Sequence, residues 1–136
     1  MIYGDFSTNK VTIFGGFKSI ASYISSDERL KRDIQPLKSS LDRISSLQGV
    51  TYQWKTEEYP HMGLTKEKQI GLLAQDVEEE LPELVSKDED GYKAVSYSKL
   101  TAVLVEAVKE LKAKHESQQE EIKALRETIR ELKSRS

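Results

Sequence analysis

A short polar segment, Ser26 to Lys31, holds the residue types needed to cut a peptide bond without histidine or metal. Ser26 supplies a hydroxyl, and Lys31 supplies an amine five residues later. A serine hydroxyl becomes a nucleophile when a base takes its proton, and lysine is such a base in its neutral form. Burial or neighbouring positive charge favours that form, and Arg29 and Arg32 flank Lys31. The segment therefore predicts a Ser/Lys dyad, provided that the two side chains meet.

The backbone between the two side chains must turn back on itself for them to meet. An extended segment would hold residues 26 and 31 too far apart to touch. Asp27 favours a turn, because aspartate side chains accept hydrogen bonds from backbone amides two residues ahead. Composition alone favours another interpretation, in which residues 27–33 form a solvated, charge-balanced linker without chemistry. Ser25 is a second candidate nucleophile that position leaves open.

Composition narrows the possible partners and cofactors. The 136 residues allow one domain with a modest core. A net charge of −2 does not indicate binding to nucleic acid or to an anionic membrane. No cysteine is present, and no apolar run approaches the ~20 residues of a membrane span. His61 and His115 lie too far apart in sequence to form a metal-ligand set, and there is no glycine-rich phosphate loop. We expect no cofactor and no metal.

The residues before the dyad predict β-structure. In residues 2–24, a polar turn at Ser7 to Lys10 precedes Val11, Ile13 and Phe14, and two glycines then interrupt the run. The stretch is too poor in apolar residues to form a core of its own. We expect it to be the end of an upstream β-rich domain, in a chain that is the C-terminal part of a longer protein.

The middle of the chain predicts a small mixed head of short helices and strands. The apolar spacing predicts a helix from Pro36 to Leu47 with Gly49 just past its end. A strand should follow in which Val50, Tyr52 and Trp54 face a core. Further along we expect a loop over 57–68, a buried strand over 70–73, a helix over 74–81 stopped by a proline, and a hairpin over 84–95 turning at 88–91.

The C-terminal residues 96–135 contain no glycine or proline and predict a long coiled-coil helix. With Leu104 at position d, eight of the ten a and d positions are apolar or threonine. The a positions are Thr101, Val108, His115, Ile122 and Ile129, and the d positions are Leu104, Leu111, Gln118, Leu125 and Leu132. A helix of ~60 Å cannot bury this stripe on its own small head, so it implies self-association.

The number of chains in the assembly is left open by these residues. Isoleucine at a with leucine at d favours a dimer, whereas the polar layers at His115 and Gln118 favour a trimer. Glu121 at position g and Arg126 at the following e position can pair between chains.

Three blocks of sequence, in their order and spacing, together resemble the S74 peptidase family. These are the self-cleaving C-terminal intramolecular chaperones of phage tailspikes, fibres and neck appendages. The first block has the pattern Ser-Asp-x-Arg-x-Lys-x-Asp-Ile and comprises Ser26, Asp27, Arg29, Lys31, Asp33 and Ile34. The second comprises Gly71, Leu73, Ala74, Gln75, Asp76 and Val77, followed by Pro82, Glu83, Leu84 and Val85. The third comprises Tyr97, Leu100, Leu104, Ala107, Lys109, Glu110 and Leu111.

The resemblance implies an autocatalytic serine peptidase. It makes Ser26 the nucleophile and Lys31 the general base, with Arg29, Asp33 and Gln75 in supporting positions. The cut would fall beside Ser26. Both the bond from Ser25 and the bond to Asp27 remain open.

The resemblance also implies an α+β fold with a homotrimeric assembly. Residues 1–25 would end an upstream β-rich fibre or spike domain, and 26–136 would form the chaperone, with a head over 26–95 and the coiled coil over 96–136. The chaperone would help the upstream β-fibre of the same chain to fold in a virion precursor in the host cytoplasm, and would then release itself. The alternatives are a trimerisation clamp without cleavage and the cleavage domain of a membrane-tethered transcription factor.

Overall fold

The computed structural model describes residues 25–135 and the backbone of two N-terminal strands. Strands β1 (Ile2–Asp5) and β2 (Lys10–Ile13) pair antiparallel, with Ile2 opposite Ile13. The prediction of β-structure is confirmed for these eight residues. The predicted break after β2 and most of the predicted turn before it lie outside the described residues.

The described residues divide into two compact units. One contains the described residues up to Ile34 together with Val50–Gly71, and the other contains Gln35–Gly49 and the chain from Leu72 onward. In the first unit, β3 (Val50–Tyr52) pairs antiparallel with β4 (Gln69–Gly71). The residues between them form the predicted loop, which contains one short 3₁₀ turn at Pro60–Met62.

Two predictions of burial in the first unit are wrong. Val50 and Tyr52 are half-buried and Thr51 is exposed, so β3 has the expected single inner face. Trp54, however, lies beyond the end of β3 and is 42% exposed, with its ring edge-on to Tyr52 at a centroid distance of 5.0 Å. Ile70 is 83% exposed, because in a three-residue strand the middle side chain points away from the face shared by its neighbours.

The second unit contains the hydrophobic core. Helix α2 (Ala74–Glu80) ends before a 3₁₀ turn at Pro82–Leu84, and the hairpin of β5 (Val85–Lys87) and β6 (Lys93–Val95) follows, as predicted. The core comprises Val77, Leu81, Leu84, Leu100 and Val103, with Ile44, Leu47, Leu72, Val85 and Val95 packed around it.

Helix α1 (Ser40–Ser46) begins four residues later than the predicted start at Pro36. Ser39 has left-handed backbone angles, with φ 54° and ψ 32°, which stop any helix from continuing back through it. The side chain of Glu110 replaces the missing turn: its Oε1 accepts from the Ser40 amide at 3.0 Å and its Oε2 from the Leu41 amide at 2.7 Å. A contact from a distant helix therefore fixes where α1 starts.

The end of α1 also differs from the prediction. The backbone is already extended at Leu47, with ψ 139°, so Gly49 lies beyond the capping position expected for it.

Helix α3 (Tyr97–Ser134) has 38 residues and is about 57 Å long, which confirms the predicted long helix. Its first turns bury Leu100, Val103 and Ala107 against the second unit, and Glu110 is half-buried on the same face. The heptad stripe occupies a different face and is exposed, as are all described residues from 111 to 135. None of the helices in the described residues combines the length and the apolar content that crossing a bilayer requires.

Candidate functional site

The segment around Ser26 and Lys31 folds into one tight turn. Residues Glu28–Leu30 form a single 3₁₀ turn, closed by the Leu30 amide donating to the Asp27 carbonyl at 3.1 Å. The Lys31 amide donates to the Glu28 carbonyl at 2.9 Å. The chain therefore reverses between residues 26 and 31, as a contact between their side chains demands.

The side chain of Asp27 holds this turn from its first residue. Its Oδ1 accepts from the backbone amide of Arg29 at 2.9 Å and from Arg29 Nε at 3.0 Å, and its Oδ2 accepts from Arg29 Nη2 at 2.8 Å. One carboxylate thus caps the turn and binds a guanidinium through both oxygens. The side-chain hydrogen bond from Arg29, followed by that from the Arg29 amide, holds the pKa of Asp27 below its usual range.

Ser26 and Lys31 are in direct contact across the turn. Lys31 Nζ donates a hydrogen bond to Ser26 Oγ at 2.7 Å. A hydroxyl and an amine at this distance can exchange a proton without an intervening water, and a nucleophile and its base require this separation. Both residues are exposed, as are all others from 25 to 39.

The remaining predicted site residues occupy different places. Ser25 is exposed and precedes the turn, and Lys31 bonds to its neighbour Ser26. Asp33 has a left-handed backbone with φ 54°, and its Oδ2 lies 3.8 Å from Arg32 Nε. Gln75 is the second residue of α2, has an exposed side chain, and belongs to the second unit.

Sequence reasoning missed the partnership of Asp27 with Arg29. The signal was available: an acid at the first position of a turn, with a base two residues later, is within reach of bidentate pairing. Within the described residues, no group of histidines or carboxylates could hold a metal ion. In the acidic run of α2, Glu78 binds Lys93 and Lys87.

Comparison with known proteins relates the sequence around this turn to a protein family. The family model described as chaperone of endosialidase, Peptidase S74, matches residues 26–86. Residues 26–86 belong to the Peptidase S74 family. The S74 match begins at Ser26 and ends in β5, so it takes in the Ser26–Lys31 turn, α1, the β3–β4 pair and α2. The resemblance stated from the sequence is thereby confirmed.

The S74 segment also has relatives among phage fibre proteins. The chain is 41% identical over 96 residues to the long tail fibre protein Gp37 of Enterobacteria phage K3, covering 68% of the chain and 8% of that protein. It is 33% identical over 113 residues to Gp37 of Salmonella phage S16, covering 81% of the chain and 14% of that protein. With Gp37 of Enterobacteria phage Ox2 the identity is 36% over 116 residues, covering 82% of the chain and 42% of that protein. The chain therefore spans less than half the length of each of these relatives.

Proposed function

We propose that this chain is the trimerising chaperone of a phage tail fibre and that it releases itself by cutting the chain beside Ser26. The observation that carries the proposal is the 2.7 Å contact between Lys31 Nζ and Ser26 Oγ inside a segment of the S74 family. The chaperone role rests on the family description and on the tail fibre relatives.

The chemistry follows from the two side chains. The neutral amine of Lys31 takes the proton of Ser26 Oγ, and the oxygen attacks the carbonyl carbon of Ser25. The C–N bond breaks, the lysine ammonium returns its proton to the leaving nitrogen of Ser26, and an ester joins Ser25 to Ser26 Oγ. Water then hydrolyses the ester and leaves a carboxylate on Ser25. The proposal also allows cleavage of the other peptide bond beside Ser26, which joins Ser26 to Asp27.

The contact supplies the distance that the reaction needs, and the reaction further needs a neutral amine that accepts the proton of Ser26. A lysine in water is almost entirely protonated at pH 7, and removal from water favours its neutral form. Since Lys31 is exposed in the single chain, we propose that packing in the assembly removes it from water and so couples cutting to assembly.

Helix α3 supplies the surface for that assembly. Its heptad stripe is apolar at most layers and is exposed in the single chain, with Leu125 63% exposed. Three parallel helices bury such a stripe, and Glu121 of one chain then lies near Arg126 of the next. A trimer formed at residues 96–136 brings three chains into register before the upstream β-fibre, which ends at residue 25, starts its slow non-local folding.

The proposed organisation places the head at 26–95, between the fibre and the helix. In this scheme the chaperone acts on a virion precursor in the host cytoplasm and leaves the mature fibre after the cut. The fibre is then kinetically trapped, because the template that aligned its chains is gone.

A second candidate function is a trimerisation clamp that never cuts. The exposure of Ser26 and Lys31 favours it, because a clamp needs only the stripe of α3 and places no demand on the dyad.

Intact mass of the purified 136-residue trimer separates the two functions. The comparison uses wild type, Ser26→Ala and Lys31→Ala, with Ser25→Ala as the matched control. We expect wild type and Ser25→Ala to yield a fragment that begins at or directly after Ser26, and the other two variants to stay whole. If all four stay whole as verified trimers, cleavage is refuted and the clamp remains.

A further inference from the structure

The ion pair between Asp27 and Arg29 stands out because it occurs in a segment whose residues are all exposed. Every residue from 25 to 39 is exposed, so no core packing holds the turn. Its hydrogen bonds are two from backbone to backbone, three within the Asp27–Arg29 pair, and the contact of the dyad itself.

We propose that Arg29 is a positioning residue that acts through Asp27 to hold Lys31 on Ser26. This inference rests on the proposed cleavage and names the residues that prepare it. Isolated exposed ion pairs contribute little to stability. This carboxylate, however, accepts from the planar guanidinium through both oxygens and from the backbone of the same residue. It therefore fixes the backbone of the turn and the side-chain pair together.

The pair also controls the charge beside the dyad. The positive charge of Lys31 is one of the causes that lower the pKa of Asp27, after the bonds from Arg29, so carboxylate and amine interact. A carboxylate stabilises the protonated form of a neighbouring lysine, which is the form that cannot act as base. Arg29, which touches both oxygens of that carboxylate, offsets its charge. Sequence alone suggested that Arg29 repels Lys31 directly; its position on Asp27 assigns it this indirect role.

Holding the turn and offsetting the carboxylate charge predict different results for substitutions of Arg29 and of Asp27. Removing Arg29 loosens the turn and leaves an unpaired carboxylate near the amine. Removing the charge of Asp27 loosens the turn but leaves no carboxylate. A role limited to stability would lower the rate in both variants and move the pH dependence in neither.

The test is the single-turnover cleavage rate, followed by intact mass from about pH 6 to 10, a range that reaches the ordinary pKa of lysine. The variants are Arg29→Ala, Asp27→Asn, the double variant and Arg29→Lys. Glu28→Gln is the matched control, an acid-to-amide change in the same turn. Sedimentation confirms that each variant assembles as wild type does.

We expect Arg29→Ala to cut about 10- to 100-fold more slowly, the penalty of a misplaced reacting group. Its rate–pH profile should move to higher pH. The double variant should be slow but keep the wild-type profile, Arg29→Lys should recover part of the rate, and Glu28→Gln should match wild type. Wild-type rates in Arg29→Ala and Asp27→Asn, or a slow Arg29→Ala with an unmoved profile, would overturn the positioning role while leaving the cleavage intact.

A structural measurement decides the case in which the wild-type chain does not cut. That result refutes the proposed cleavage, but proton NOEs between the side chains of Ser26 and Lys31 still report on the positioning role of Arg29. Loss of these NOEs in Arg29→Ala, with those of α2 preserved, supports that role. Retention of the NOEs refutes it.

Discussion

At the scale of single residues, the contact between Lys31 and Ser26 meets one of the two requirements of the proposed chemistry. Nζ and Oγ lie 2.7 Å apart, which is close enough for direct proton transfer. The second requirement is ionisation, because the amine accepts the serine proton only in its neutral form. Distance and ionisation are therefore separate conditions for cleavage.

The variant Lys31→Arg tests this separation of geometry from ionisation. A guanidinium can donate to Ser26 Oγ as the ammonium does, but it stays protonated at any accessible pH and cannot act as base. We expect no cleavage over days in intact-mass spectra. Lys38→Arg, the same exchange in an exposed residue outside the turn, is the control and should cut at the wild-type rate. Cleavage by Lys31→Arg within tenfold of wild type would show that another group is the base.

At the scale of elements, local sequence determined most of the structure and distant contacts determined the exceptions. The stop of α2 at a proline, the hairpin and the length of α3 follow from short-range signals, and the structure has them. The start of α1 depends on a carboxylate 70 residues away in sequence from Ser40, which no local pattern contains. The exposure of Trp54 and Ile70 was missed because β3 and β4 are each only three residues long.

The same limit applied to the candidate site. The need for a turn, and the role of Asp27 in it, followed from chain geometry and side-chain chemistry. The partner of Asp27 did not, because pairing over two residues depends on the rotamer that Arg29 adopts.

Glu110 tests the distant contact on α1. Glu110→Ala removes the acceptors for the Ser40 and Leu41 amides, and we expect the free energy of unfolding to fall by about 1–2 kcal/mol. Urea denaturation at one fixed protein concentration measures it. Glu106→Ala, one turn earlier, removes the half-buried acid of an ion pair with the exposed Lys109 and should cost under about 0.5 kcal/mol. Equal losses in the two variants would argue against a capping role.

Glu78 links α2 to the hairpin and predicts an acid dependence of stability. Its carboxylate bonds to Lys93 in β6 and lies 3.4 Å from Lys87 in β5, and the hydrogen bond from Lys93 above all lowers the pKa of Glu78. A lowered folded-state pKa means stability that is present above the unfolded-state value and lost as pH falls through the folded-state value. We expect Glu78→Gln to be less stable than wild type at neutral pH.

The difference between Glu78→Gln and wild type should shrink as the pH falls below the ordinary range of a glutamate. Thermal unfolding from neutral to acidic pH measures it, with Glu79→Gln, its exposed neighbour, as control. A constant gap between Glu78→Gln and wild type at all pH values would contradict the linkage.

At the scale of the whole molecule, α3 carries two adjacent apolar faces with separate uses. Leu100, Val103 and Ala107 pack into the second unit, whereas the heptad positions lie roughly 100° further around the helix and stay exposed. The second unit therefore leaves exposed the surface that we propose for assembly, and α3 can use both faces at the same time.

Polar substitutions in the outer heptads test the proposed assembly. The double variant Ile122→Asn with Leu125→Asn should dissociate in sedimentation experiments, and on the proposed coupling it should also stop cutting. The head should keep its fold, because these residues lie beyond its last contact with α3. Lys123→Asn, between the two positions but off the stripe, should assemble as wild type does. A double variant that remains trimeric would show that another surface holds the chains together.

The position of Glu110 gives the chain a freedom in length. It is the last residue of α3 with a half-buried side chain, and every described residue beyond it is exposed. Adding or deleting seven residues there changes the angular phase of the stripe by only about 20°. If the chains assemble through this stripe as proposed, the strength of their association can be tuned by the number of heptads, while the residues up to Glu110 stay the same.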